Sequence, residues 1–112
     1  RADRVNWDDG AEVAALPALN QVKNIIVEGD FVGRFPAREI IRLPLKLKTD
    51  MIQDLQQEFD EPLDQFRQLI KVFADDATAD RFDAQGLILS AIMAEKFFRA
   101  LARAQELAFP ES

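Results

Sequence analysis

The stretch EIIRLPLKLK at positions 39–48, followed without a linker by TDMIQDLQQEF at positions 49–59, decides the fold. In its first part Ile41, Leu43, Leu45 and Leu47 fall on one side, and Arg42, Lys46 and Lys48 fall on the other. A period of two marks a strand with one face on a core and the other in water. Pro44 has no N–H to give to a ladder, so this strand is expected at a sheet edge or with a bulge there. From Thr49 the period changes: Ile52, Leu55 and Phe59 stand at i, i+3 and i+7, the spacing of an amphipathic helix.

Upstream, Val22, Ile25, Ile26 and Val27 form a cluster rich in β-branched residues, which favour strands. Glu28-Gly29-Asp30 is a turn signal, Phe31 to Phe35 a second short strand, and Pro36-Ala37 a further break. The expected sheet is an antiparallel meander over residues 22–48. Downstream, Glu61-Pro62 ends the first helix, and Pro62 suits the first position of the next. Leu63, Phe66, Leu69, Ile70 and Phe73 make its apolar stripe. Asp75 to Thr78 reads as a polar link, with Thr49 and Thr78 as helix caps. A long helical pattern runs from about Ala79 to Ala108 and stops before Pro110, and Gly86 is the point at which it would split. In residues 1–20, Asp8 or Asp9 can lead into a short helix limited by Pro17. The whole is expected to be a single α+β domain over residues 1–112: a small antiparallel meander packed against two medium helices and one long C-terminal helix.

Composition narrows the function. The chain has 112 residues, 48% of them hydrophobic and 30% charged, which fits one globular core under an ordinary soluble surface. Its most apolar segment, 87–109, is interrupted by Glu95, Lys96, Arg99, Arg103 and Glu106, each costly in hydrocarbon. No signal peptide stands out, although the first residue is Arg rather than Met and a removed leader stays open. With no Cys there are no disulfides or thiolate metal sites, and the cytoplasm is the expected compartment. His and Tyr are absent too. Without His, most acyl-transfer arrangements lose their general base. The hydroxyls that remain are poorly sited for nucleophilic chemistry: Ser90 lies inside an apolar helical run and Ser112 ends the chain. Asp60 and Glu61 sit in an inter-helix turn, where a pKa-splitting cleft is not expected. No enzyme and no cofactor is expected.

Several constellations compete for a binding role. Arg34, Arg38, Arg42, Lys46 and Lys48 stand against one acid, Glu39, over residues 34–48. Such a row can hold phosphates, but a solvated face that protects an edge strand is the preferred explanation. The net charge of −6 also disfavours nucleic acid. Residues 50–83 carry ten acids against Arg67, Lys71 and Arg81, with Asp50, Asp54 and Glu58 forming a ridge. This ridge reads as a solvated helix face, with Asp64, Asp80 and Asp83 as first-turn acids; the alternatives are a basic partner, a weakly held divalent cation, or mutual neutralisation between the acidic region and the basic strand that precedes it. A calcium loop aligned on Gly86 fails, because Arg81 and Ile92 fall where carboxylates are required. Phe59, Phe66, Phe73 and Phe82 have core spacing. Adjacent Phe97 and Phe98 point about 100° apart on a helix. With Met93, Leu101 and Leu107 they make a face broad enough for a dimer interface or a partner's helix, with a central helix packed on several sides as the equal alternative.

The leading expectation is therefore a non-enzymatic protein-binding module (an adaptor, assembly chaperone or regulatory subunit) whose partner is another protein or a second copy. It would act through Met93, Phe97, Phe98 and Leu101, or through the strand edge near Pro44. The alternative is nucleic-acid or phosphate binding through Arg38, Arg42, Lys46 and Lys48.

Overall fold

The computed structural model describes residues 20–108. The helix expected within residues 1–20, Asn20 apart, and the stop at Pro110 lie outside them. Among the described residues, strands β1 (Lys23–Val27), β2 (Asp30–Arg34) and β3 (Ile40–Pro44) precede helices α1 (Thr49–Glu58), α2 (Pro62–Phe73), α3 (Asp76–Asp83) and α4 (Leu87–Ala108). The chain folds as α+β, and the expected meander is present as an antiparallel sheet in the order β1-β2-β3.

Local chemistry sets both hairpins. Glu28 and Gly29 have φ of 53° and 83°, the left-handed pair that a two-residue hairpin loop needs to match strand twist. The β2–β3 loop is closed by Arg38 N–H donating to Phe35 O (2.8 Å) and Phe35 N–H donating to Glu39 O (2.9 Å). Arg38 takes φ of 71° there, at the position where such loops usually place glycine.

One face of the sheet is the floor of the core. Phe31, Phe35, Ile41, Leu43 and Leu45 are buried, and Arg42 and Lys46 between them are exposed, as the alternation in residues 39–48 requires. Pro44 ends β3 at a sheet edge. Gly33 lies on the same inner face, and a Cβ there would collide with Met93 Sδ, so the bare backbone lets α4 cross close to the sheet. Phe97 occupies the centre, with ring centroids 5.3 Å from Phe31 and 5.1 Å from Phe66, and Phe66 lies 5.1 Å from Phe82. Each of these side chains is fully buried, a transfer gain of roughly 1.5–3 kcal/mol apiece.

At Gly86 the helical pattern takes the split that the glycine offers, and in three further places the helices depart from expectation. The long pattern from Ala79 is divided, giving α3 and α4 rather than one helix, and Gly86 at φ of 96° makes the break. Buried Ser90 ties the two halves, its Oγ donating to Phe82 O at 2.8 Å. The segment 75–78 is a helix start rather than a link. Asp75 is the cap, with Oδ1 accepting from Thr78 N–H (2.7 Å) and Thr78 Oγ (2.6 Å), so Thr78 is the donor to the cap and not the cap itself. Thr49 likewise lies inside α1, whose N-cap position is Lys48 without a side-chain bond. Pro62 takes the first position of α2 as expected, whereas Phe73 at its end is exposed rather than part of the core.

Candidate functional site

The residues first expected to bind a partner are mostly inside. Met93, Phe97 and Leu101 belong to the chain's own core, and only Phe98 of the four keeps partial exposure. The physical reason is the width of the core. The sheet, α2 and α3 surround the middle of α4, so adjacent Phe97 and Phe98 both find internal neighbours, with ring centroids 5.1 Å apart. The α4 face is thus a central helix packed on several sides. Leu107 at its end is exposed.

The basic row does not form one surface. Arg42 Nε bonds Asp30 Oδ2 at 2.9 Å, with Glu28 at 3.8 Å from its Nη2. Lys46 and Lys48 line a hollow with Ile26 and Ala104, while Arg38 lines a different one with Lys23 and Arg34. The acids also settle differently from expectation. Asp83 ends α3 instead of opening a helix, and Arg67 Nε bonds it at 2.9 Å while Arg67 Nη1 bonds Asp64 at 2.9 Å. The Asp83 bond, opposed by desolvation and helped by Asp64, raises Arg67 above the ordinary arginine value. The pair joining the basic stretch to the acidic one runs in the reverse sense, Arg81 Nε to Glu39 Oε2 at 2.9 Å. The Asp50, Asp54, Glu58 ridge is solvent-exposed. Asp75 is held below the ordinary carboxylate value by the Thr78 hydroxyl and then the Thr78 N–H. Among the described residues no group of three or more His, Cys, Asp or Glu is placed to hold a metal. No described helix is long and apolar enough to cross a membrane.

Among the described residues β1 and β3 are the two edges of the sheet, and β1 carries no proline. Leu45 N–H donates to Gly29 O, and Phe35 N–H to Glu39 O. Odd-numbered residues of β2 therefore turn their backbone groups to β3, and even-numbered ones to β1. In the register Lys23↔Arg34, Ile25↔Val32 and Val27↔Asp30, the ladder engages Lys23, Ile25 and Val27. The N–H and C=O groups of Asn24 and Ile26 point away from the sheet, and among the described residues no strand pairs with them.

Side chains flank this edge on both sides. Ile25, 62% exposed, lies on the outer sheet face, where it lines a hollow with Val32 and Ile40. Ile26, 52% exposed, lies on the inner face beside Leu45, Leu47 and Ala104 in a hollow of about 560 Å³. The cluster of β-branched residues at 22–27 signalled the strand. That it would stand at an open edge depends on strand order, which local patterning does not carry. Compared with known protein families, curated proteins and solved structures, the chain matches none.

Proposed function

We propose that this chain is a protein-binding module, without catalytic activity of its own, that takes up an extended segment of another protein along the free edge of β1. The observation that carries this is that no described strand pairs with the outward Asn24 and Ile26 backbone groups, while Ile25 and Ile26 stand exposed on opposite sides of the same strand. Strand addition draws affinity from main-chain hydrogen bonds and specificity from pockets for alternate side chains. Here the added strand would set successive side chains against the Ile25 hollow and the Ile26 hollow in turn. The absence of His and Cys, and the engagement of the Ser90 hydroxyl with Phe82 O, favour recognition over chemistry.

The test is a display library of short peptides selected against the full chain, followed by Ile26→Pro. Proline at position 26 removes an outward N–H that no described neighbour uses, and leaves the β1–β2 ladder bonds in place. Selected peptides are expected to lose at least about tenfold in affinity for Ile26→Pro, while its circular dichroism and cooperative unfolding persist. Equal binding to both proteins would overturn the proposal.

A further inference from the structure

We infer that the segment taken up by β1 runs antiparallel to it and ends in a carboxylate held by Lys23, Arg34 and Arg38; this rests on strand addition at β1. The three cations line one hollow of about 470 Å³ at the end of the sheet, with Gln21, Phe35, Pro36 and Ile40. No acidic residue is among these described lining residues. Lys23 and Arg34 face each other in the ladder, an arrangement of like charges that destabilises an antiparallel pair. Arg38 reaches the same hollow from a backbone conformation of φ 71°, which disfavours every residue with a Cβ relative to glycine.

This is no shortage of acid, because the chain carries 20 Asp and Glu against 14 Lys and Arg. Arg42, Arg67, Arg81, Arg99 and Arg103 each lie within 4.0 Å of a carboxylate. Glu39, next to Arg38 in sequence, is turned to Arg81 instead. Among the described residues Lys23, Arg34 and Arg38 have no ion-pair partner. A concentration of one sign of charge in a concave site attracts the opposite sign, and arginine suits carboxylate geometry.

Direction follows from topology. Lys23 begins β1, so the C-terminal end of an antiparallel neighbour arrives beside it. A parallel neighbour would bring its N-terminal end there, and a free amine would meet three cations. The next row of the outer face, Ile25 and Val32, is apolar and shares its hollow with Lys23, Arg34 and Ile40. The fitting segment is therefore β-prone, apolar on alternate residues, and anionic at its last positions. A chain-terminal carboxylate and an Asp or Glu side chain supply the same chemistry.

Peptides displayed with free C-termini and selected on the full chain test this. One arm amidates the C-terminus, and the other replaces terminal Asp or Glu by Asn or Gln. One of the two is expected to cost at least about tenfold in affinity, and Lys23→Gln with Arg38→Gln is expected to cost as much. Both positions are exposed, and circular dichroism checks the fold. Affinity should fall with added salt. In a second measurement, acetate alone should shift the backbone amide signals of residues 23, 34 and 38, and Arg38→Gln should abolish the effect. Peptides that slow exchange at Asn24 and Ile26 but ignore amidation, terminal acids and the double substitution would overturn the carboxylate site while leaving strand addition intact. Acetate binding here, with no selected peptide slowing exchange at Asn24 and Ile26, would overturn strand addition and this inference with it.

Discussion

β1 and β3 flank the same central strand, span five residues each and draw on similar aliphatic side chains, yet they present opposite kinds of edge. The outward positions of β3 are Ile40, Arg42 and Pro44. Pro44 cannot donate, Arg42 is drawn to Asp30, and the turn into β3 is held by Glu39 to Arg81. Inward, β3 sends Ile41 and Leu43 fully into the core. β1 has none of this: no proline, two usable backbone positions at Asn24 and Ile26, and isoleucines more than half exposed on both faces. Proline and charge are two ordinary means of blunting an edge. The protein applies them to β3, while β1 carries only Lys23 at its start. The edge expected to bind, near Pro44, is the one that proline and charge blunt.

The largest effect that would break this comparison is on stability. Leu43→Ala should cost about 3 kcal/mol, the range for a buried leucine, whereas Ile26→Ala should stay within about 0.5 kcal/mol, as exposed positions do. Urea unfolding of both variants checks this, and equal losses would erase the distinction between the strands. Next comes the strand they share. Gly33→Ala should cost about 2 kcal/mol by overpacking against Met93. Met93→Ala should cost less in that background than in the unaltered protein, a coupling that a double-mutant cycle reads.

Smaller still, Arg38→Gly should stabilise the protein by up to about 1 kcal/mol by relieving the left-handed conformation, while weakening carboxylate binding. A rise in melting temperature without loss of acetate binding would remove Arg38 from the anion site. The smallest effect lies away from the sheet and serves as its control. Asp75 titrates below its ordinary value when folded, so its contribution is fully present above the unfolded carboxyl pKa and fades as pH falls through the lower, folded value. Asp75→Asn, which keeps an acceptor for Thr78, should flatten that part of the acid-side stability profile and leave peptide binding at β1 untouched.

Much of the fold was legible because periodicity reports which face is buried. The alternation in 39–48 gave β3 its inner and outer sides and Pro44 its place at an edge, and Pro62 opened α2 where its fixed φ fits. The break at Gly86 was visible as a weak point, but its outcome depended on Ser90 finding Phe82 O across it. The site was less legible. Phe97 and Phe98 read as a surplus apolar face because the sequence does not show how many elements surround one helix. The basic row read as a unit because even spacing implies one strand face, but the chain turns at Pro36 and again after Pro44. No spacing in the sequence groups Lys23 with Arg34 and Arg38, since its proximity arises from the β1–β2 register alone.

Amide hydrogen exchange of the full chain, with and without a selected peptide, tests the central claim most directly. The backbone N–H groups of Asn24 and Ile26 should exchange freely in the unbound protein and slow together on binding, with Ile40 and Arg42 unchanged. Slowing at Ile40 and Arg42, or along α4, with Asn24 and Ile26 unaffected, would contradict the account.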